Sequence, residues 1–144
     1  EIRQAKLHET SAVVMLVQAL WPHHTTNELR EELLQLLKRV DAAFFLAIIM
    51  NVLWVMPTMP AAPGLRGGLQ FQPCRVFGGV YVAPACRGQG IARALLAKCE
   101  KWAKPCGCAE FASDCELDNT DSLSFHLNMG FTEAGRIICF CKML

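Results

Sequence analysis

Apolar positions along the chain follow two spacings, and the switches between them mark the elements. Val13, Val17 and Leu20 fall three to four residues apart, which predicts a helix from about Thr10, closed by Trp21-Pro22. Leu29, Leu33, Leu36 and Val40 repeat the pattern in a second helix, opened by Thr25 and Glu28 in capping-box spacing. Short β-branched and aromatic runs predict strands at 2–4, at 43–49 and 52–56 as a hairpin around Met50-Asn51, and over a long stretch ending at Val82. Proline and glycine dominate 57–68, which reads as a loop within one domain because neither side could build a core alone. Helical spacing returns at Ile91, Leu95, Cys99 and Trp102, and a strand follows at 108–114. Asn119 and Thr120 start a further helix with a left-handed cap at Gly130, and Phe131 begins a final hairpin through Gly135-Arg136 to Lys142. The order βααββ, βα, βα, ββ, without internal repeat, predicts a single mixed α/β domain over 1–144 with a central, mostly antiparallel sheet.

Composition narrows the function classes. The 144 residues are 53% hydrophobic, enough for one full core. A net charge of +1 with scattered lysines and arginines gives no basic stripe, which argues against nucleic-acid binding. The apolar stretch 42–56 is shorter than the roughly 20 residues of a spanning helix, carries Asn51 and stops at Pro57, so no membrane segment is expected. The opening Glu1-Ile2-Arg3 lacks a basic-then-apolar leader pattern, and a cytoplasmic location is expected. The eight cysteines contain no C-x-x-C pair and mostly sit in apolar patterns, which predicts reduced core thiols. Cys106 and Cys108 with His23 and His24 make one short chelate and a distant pair, too little to predict a metal.

The candidate chemistry starts at Val80-Tyr81-Val82-Ala83-Pro84, where a strand feeds a helix through Ala85-Cys86-Arg87-Gly88-Gln89-Gly90. Unpaired amides of such a turn and of the first helical turn, with the helix dipole, form a site for phosphate oxygens, and Gly88 and Gly90 permit close approach to the main chain. A P-loop would need Lys-Ser/Thr at its end, and a dinucleotide fingerprint a third glycine where Arg93 stands. Read by itself, the turn is equally compatible with a plain strand-to-helix connection.

Arg87, Gly88, Gln89, Gly90, Ile91 and Ala92 match Q/R-x-x-G-x-G/A, and the stretch resembles the acetyl-CoA motif of the GNAT acetyltransferases. Leu20-Trp21-Pro22, Gly79-Val80-Tyr81-Val82, the run from Gly107 to Asp114, Asn119, His126 and Gly130-Phe131 line up in order with one branch, the aminoglycoside 6'-N-acetyltransferases. The resemblance covers nearly the whole chain, weakest at 50–72. It implies the GNAT acyl-CoA N-acyltransferase fold, a twisted, mostly antiparallel sheet flanked by helices, with acetyl-CoA as cosubstrate, no metal, and direct transfer to a primary amine, the 6'-amine of an aminoglycoside. Such enzymes often form dimers, so a homodimer is possible.

By the same resemblance, Val80, Tyr81 and Val82 offer main-chain groups to pantetheine and to the oxyanion, with Gly78-Gly79 suited to a strand bulge. Asp114 binds and deprotonates the amine, with helix or loop capping as its other reading, and Glu116 and Asp118 add negative potential or are solvated loop charges. Asn119 bonds the cofactor, caps a helix, or does both. His126 stands where the leaving sulfur is protonated, or is a structural histidine; Trp21 forms a sugar-binding wall or a core anchor. Three departures bear on the substrate: Gly78 in place of glutamate, Leu123 in place of glutamine, and a 57–68 loop without the branch's acidic and tyrosine residues. Fewer carboxylates weaken attraction for polyamines, which leaves another small amine or a peptide N-terminus as alternative acceptors. A non-catalytic acyl-CoA-binding module is the alternative outside enzymes.

Overall fold

A computed structural model describes residues 1–48, 56–60, 74–77 and 79–144, with backbone alone at 56–60 and 74–77. The order is β1 Ile2–Gln4, α1 Thr10–Leu20, α2 Thr26–Leu37, β2 Ala43–Ala47, β3 Met56–Pro60, β4 Cys74–Phe77, α3 Ile91–Ala103, β5 Glu110–Ala112 and α4 Thr120–Asn128. The five strands lie in sequence order; the first three pairings are antiparallel and β4–β5 is parallel.

Three layers follow from the alternation of β2. All five β2 residues are buried, because successive side chains point to opposite faces and both faces are covered. Phe44 and Leu46 join Val13, Val14 and Val17 of α1 and Leu29 and Leu33 of α2. Ala43, Phe45 and Ala47 join Ile91, Leu95, Leu96 and Cys99 of α3, with Phe125 of α4 and Met129 just past its end packed alongside. Local chemistry fixes the helix starts. The Thr25 hydroxyl accepts from the Glu28 amide at 3.3 Å while the Glu28 carboxylate accepts from the Thr25 amide at 2.9 Å, the reciprocal box its sequence predicts. Glu9 ties β1 to α1 through a two-pronged contact with Arg3 at 2.6 and 2.8 Å, and its carboxylate also accepts from the Lys6 amide at 2.8 Å.

Several elements depart from the sequence reading. α2 ends at Leu37, so Val40 falls beyond it and is 96% exposed instead of facing the core. The turn at Met50-Asn51 and residues 52–55 of the strand expected after it lie outside the described residues; β3 takes in 57–60 of the stretch expected to be a loop, and Pro57 and Pro60 retain their carbonyls as acceptors. The strand expected to reach Val82 ends at Phe77; Gly79, at φ +146°, takes a backbone that interrupts a strand. The strand expected over 108–114 covers Glu110–Ala112 alone, because the Cys108 amide turns back to the Ala103 carbonyl at 3.4 Å and closes the end of α3. The final hairpin is absent: 131–144 carries no strand, and every residue after Phe131 is exposed. The cysteines are also less buried than expected. Cys99 is in the core and burial pushes its thiol up, Cys86 and Cys108 are half-buried, and Cys106, Cys115, Cys139 and Cys141 are exposed free thiols.

Candidate active site

The sheet opens where its parallel pair ends. β4 and β5 keep register up to Val76 opposite Ala112, and beyond it neither 79–83 nor 113–116 is strand. Crevices at the carboxyl ends of neighbouring parallel strands are where open α/β sheets receive ligands. Gly79 makes the divergence possible. Its φ of +146° favours glycine, and a Cβ there would meet Leu20 Cδ1 at 3.8 Å, which brings the end of α1 and the adjoining Trp21 beside this segment. Val80, Tyr81, Val82 and Ala83 are half-buried and pack on the α3 core, which leaves an irregular backbone anchored by its side chains. Trp21 packs against the α1–α2 cluster and meets the His24 ring edge-on at 6.5 Å, so its core-anchor role is met.

The turn into α3 has the conformation its glycines predict. Pro84–Cys86 forms one 3-10 turn, and Gly88 and Gly90 sit at φ +76° and +75°, with Gly90 as the left-handed N-cap of α3. Nothing lies within 4 Å of a Cβ built at either glycine, so the turn faces open space. Arg87 Nε donates to the Val82 carbonyl at 2.9 Å, folding the turn onto the segment before it, and the guanidinium remains exposed. Arg93 donates to the Asn128 carbonyl at 3.0 Å and ties α3 to α4. The first turn of α3 contains no acidic residue. Its leading amides have no carbonyl one turn earlier to bond, and with the dipole and two nearby guanidinium groups they form an anion site.

Across the crevice, β5 delivers Ser113 and Asp114 just past its end, so Asp114 stands two residues beyond the strand it was expected to close, and it is exposed. Glu116 and Asp118 are exposed on the following turn, where the Asn119 amide donates to Glu116 O and the Thr120 amide to Asp118 O, both at 3.0 Å. Asn119 Oδ1 accepts from the Ser122 amide at 3.0 Å, which meets its capping role and leaves the two N–H donors of its carboxamide. His126, half-buried on α4, has Nε2 2.7 Å from Ser113 Oγ and Nδ1 2.6 Å from the Ser122 carbonyl, with Phe125 and Phe131 edge-on to its ring. The structure therefore brings His126 to the residue before Asp114. The sequence did not single out Ser113. Its position in Ala-Ser-Asp was visible, but a bond to a ring thirteen positions away leaves no periodic trace. Leu123 is half-buried, whereas Gly78 and residues 61–68 of the loop lie outside the described residues.

Comparison with known proteins bears on this geometry. The model of the acetyltransferase (GNAT) family matches residues 15–131. The chain belongs to the GNAT acetyltransferase family. The GNAT fold accounts for the mixed sheet and the layer order seen here, and it recurs in solved relatives. An aminoglycoside N(6')-acetyltransferase type 1 from Acinetobacter genomosp. 13 is 36% identical over 129 residues, covering 88% of this chain and 87% of the relative. One from Serratia marcescens is 33% identical, with 92% of each chain covered. Among solved structures, AAC(6')-Iy in complex with the bisubstrate analogue CoA-S-monomethyl-acetylneamine superposes with a TM-score of 0.92 at 28% identity, covering 100% of this chain and 98% of its own. The apo 6'-N-acetyltransferase AAC(6')-IG from Acinetobacter haemolyticus gives a TM-score of 0.92 at 30% identity, with 100% and 99% covered.

Proposed function

We propose that this protein is an acetyl-CoA-dependent N-acetyltransferase whose acceptor is the 6'-amine of an aminoglycoside, so that its activity confers resistance to such antibiotics. One observation carries the reading: an open, acid-free anion turn at the head of α3 lies at the carboxyl end of a parallel strand pair whose partner strand leads into a carboxylate and a histidine. The whole-length relationship to enzymes named for that acetylation supports the substrate.

The residues divide the work by position. Amides of Gly88, Gln89, Gly90, Ile91 and Ala92 receive the pyrophosphate, with open space beside Gly88 and Gly90 to admit it, and Arg87, whose own amide donates to the Pro84 carbonyl at 3.3 Å, adds its exposed guanidinium. Main-chain groups of Val80, Tyr81 and Val82 hold the pantetheine arm and stabilise the oxyanion, and Asn119 adds a side-chain donor. Asp114 binds the ammonium and takes its proton, Glu116 draws in the polycation, Trp21 borders the sugar, and His126 supplies the proton for the departing thiolate. The amine attacks the thioester directly, with no acetyl-cysteine intermediate and no metal. The enzyme works as a single domain in the cytoplasm, and two copies pair as a homodimer through the exposed apolar tail 132–144.

The deciding experiment is acetyl-CoA-dependent thiol release against a panel of aminoglycosides, one lacking the 6'-amine, beside simple polyamines and peptides with free N-termini. Turnover confined to sugars bearing the 6'-amine is expected. Release with another amine alone keeps the chemistry and replaces the acceptor, and cofactor binding without any release makes the chain an acyl-CoA-binding module.

A further inference from the structure

Ser113 and His126 form a contact that the acetyl-transfer reading leaves unused. Ser113 is the first residue past β5, just beyond the last described pair, Val76 with Ala112, which places it beside the crevice. His126 reaches it from the last turn of α4 and is held there from three sides. The Ser122 carbonyl lies 2.6 Å from Nδ1, the Phe125 ring is edge-on at 5.5 Å and the Phe131 ring at 5.3 Å. The Ser122 hydroxyl is also near Nδ1, at 3.4 Å, but the far shorter contact is to a carbonyl, which only accepts, and it favours a proton on Nδ1. Nε2 is then the one position where the imidazole can gain or lose a proton, and Ser113 Oγ sits on it at 2.7 Å.

We propose that Ser113 is a proton relay: His126 protonates the leaving coenzyme A sulfur through the Ser113 hydroxyl and not by direct contact. This rests on the acetyl-transfer reading and deepens it. In neutral His126 the Ser113 hydroxyl donates to Nε2. In the charged ring Nε2–H donates to Ser113 Oγ, and the hydroxyl proton turns toward the crevice. When the amine nitrogen bonds to the acetyl carbon, the C–S bond breaks with its electron pair on sulfur. Sulfur takes the Ser113 proton, Ser113 Oγ takes the Nε2 proton, and His126 is left neutral with hydrogen on Nδ1. The oxygen ends with the same number of protons it began with, and solvent recharges the ring while the amine gives up its own proton. A Ser–His pair also has the form of a nucleophile and its base, which makes an acetyl ester on Ser113 the competing outcome.

The test is single-turnover acetyl transfer, so that product release does not mask the step, with an amine the wild-type protein accepts. Ser113→Ala is expected to slow transfer about 10²-fold with acetyl-CoA affinity unchanged. Ser113→Thr, which keeps the hydroxyl, recovers most of the rate, and Ser113→Ala with His126→Gln is no slower than the slower single variant. The rate in mixed light and heavy water curves for the wild type, because two protons move together, a reading that needs no variant. A linear wild-type dependence, an unslowed Ser113→Ala, losses that multiply in the double variant, a Ser113→Thr as slow as Ser113→Ala, or acetyl trapped on Ser113 each overturns the relay. Absence of thiol release by the wild type with every amine is a different failure, since it removes the acetyl-transfer reading and the relay with it.

Discussion

Asp114 and His126 occupy different environments, and the difference fits the separate roles proposed for them. Asp114 is exposed beyond the end of β5, where a cationic acceptor can reach it from solvent, whereas His126 is half-buried with both ring nitrogens directed at oxygen atoms. A base for a soluble polyamine belongs in the first setting, and a proton donor to a bound thiolate in the second. Asp114→Asn keeps shape and hydrogen bonding but cannot accept the ammonium proton. Turnover is expected to fall by about 10²-fold or more while acetyl-CoA binding, followed by calorimetry, stays at the wild-type value; a variant that turns over normally removes Asp114 from the mechanism. The sequence singles out both residues by the short, ordered strings of neighbours around them, and the structure brings His126 to the residue before Asp114. The exposed cysteines were not legible in the sequence. An apolar pattern marks Cys99 and Cys106 alike, and only the 3-10 turn Lys104–Cys106 at the end of α3 takes Cys106 out of the buried stripe.

At the scale of elements, what sequence reveals is what short-range chemistry decides. The Thr25–Glu28 box, the Asn119 cap and the glycine turn before α3 all lie within four residues of their partners, and each forms as its sequence predicts. The end of β4 was placed too late: the backbone at Gly79, at φ +146°, leaves the strand conformation, and nothing in the apolar run around it marks that change. Gly90 shows the energetic side of such a turn. Because a Cβ there would meet nothing within 4 Å, Gly90→Ala pays for its left-handed backbone alone, roughly 1–2 kcal/mol. Thermal unfolding should shift down accordingly, and coenzyme A should restore less stability than in the wild type, since the amides proposed to receive its phosphates move. The join of β1 to α1 carries a pH signature of a different origin. Hydrogen bonding from Arg3, reinforced by the Lys6 amide against the opposing effect of burial, lowers the Glu9 carboxyl from 4.5 to about 2. The folded state then binds fewer protons than the unfolded chain, so the stability Glu9 contributes is complete above pH 4.5 and is lost as pH falls through about 2. Denaturant titrations across that window should show a steeper acid loss for the wild type than for Glu9→Gln, which begins less stable near neutrality; parallel curves would show that the Arg3 contact contributes nothing.

Across the whole molecule, layer order was legible because alternation in β2 and the stripes of α1, α2 and α3 each name a buried face. The C-terminal segment obeys the same rule and ends differently. Its apolar residues mark a stretch that favours burial, but hydrophobicity does not say in which chain the partner lies. Ile137, Ile138, Phe140 and Met143 are 70, 80, 91 and 91% exposed, and β5 has no neighbour on its outer side among the described strands. An apolar tail exposed on one molecule favours pairing between copies, which covers it. Ile138→Glu combined with Phe140→Glu places two charges in that contact, where desolvation without a partner opposes association. Sedimentation of the wild type is expected to give twice the chain mass, and the double variant the mass of one chain, with coenzyme A binding retained because the tail lies outside the anion turn. A monomeric wild type, or a dimer that the two charges leave intact, would place the subunit contact elsewhere and leave the tail's exposure unexplained by pairing.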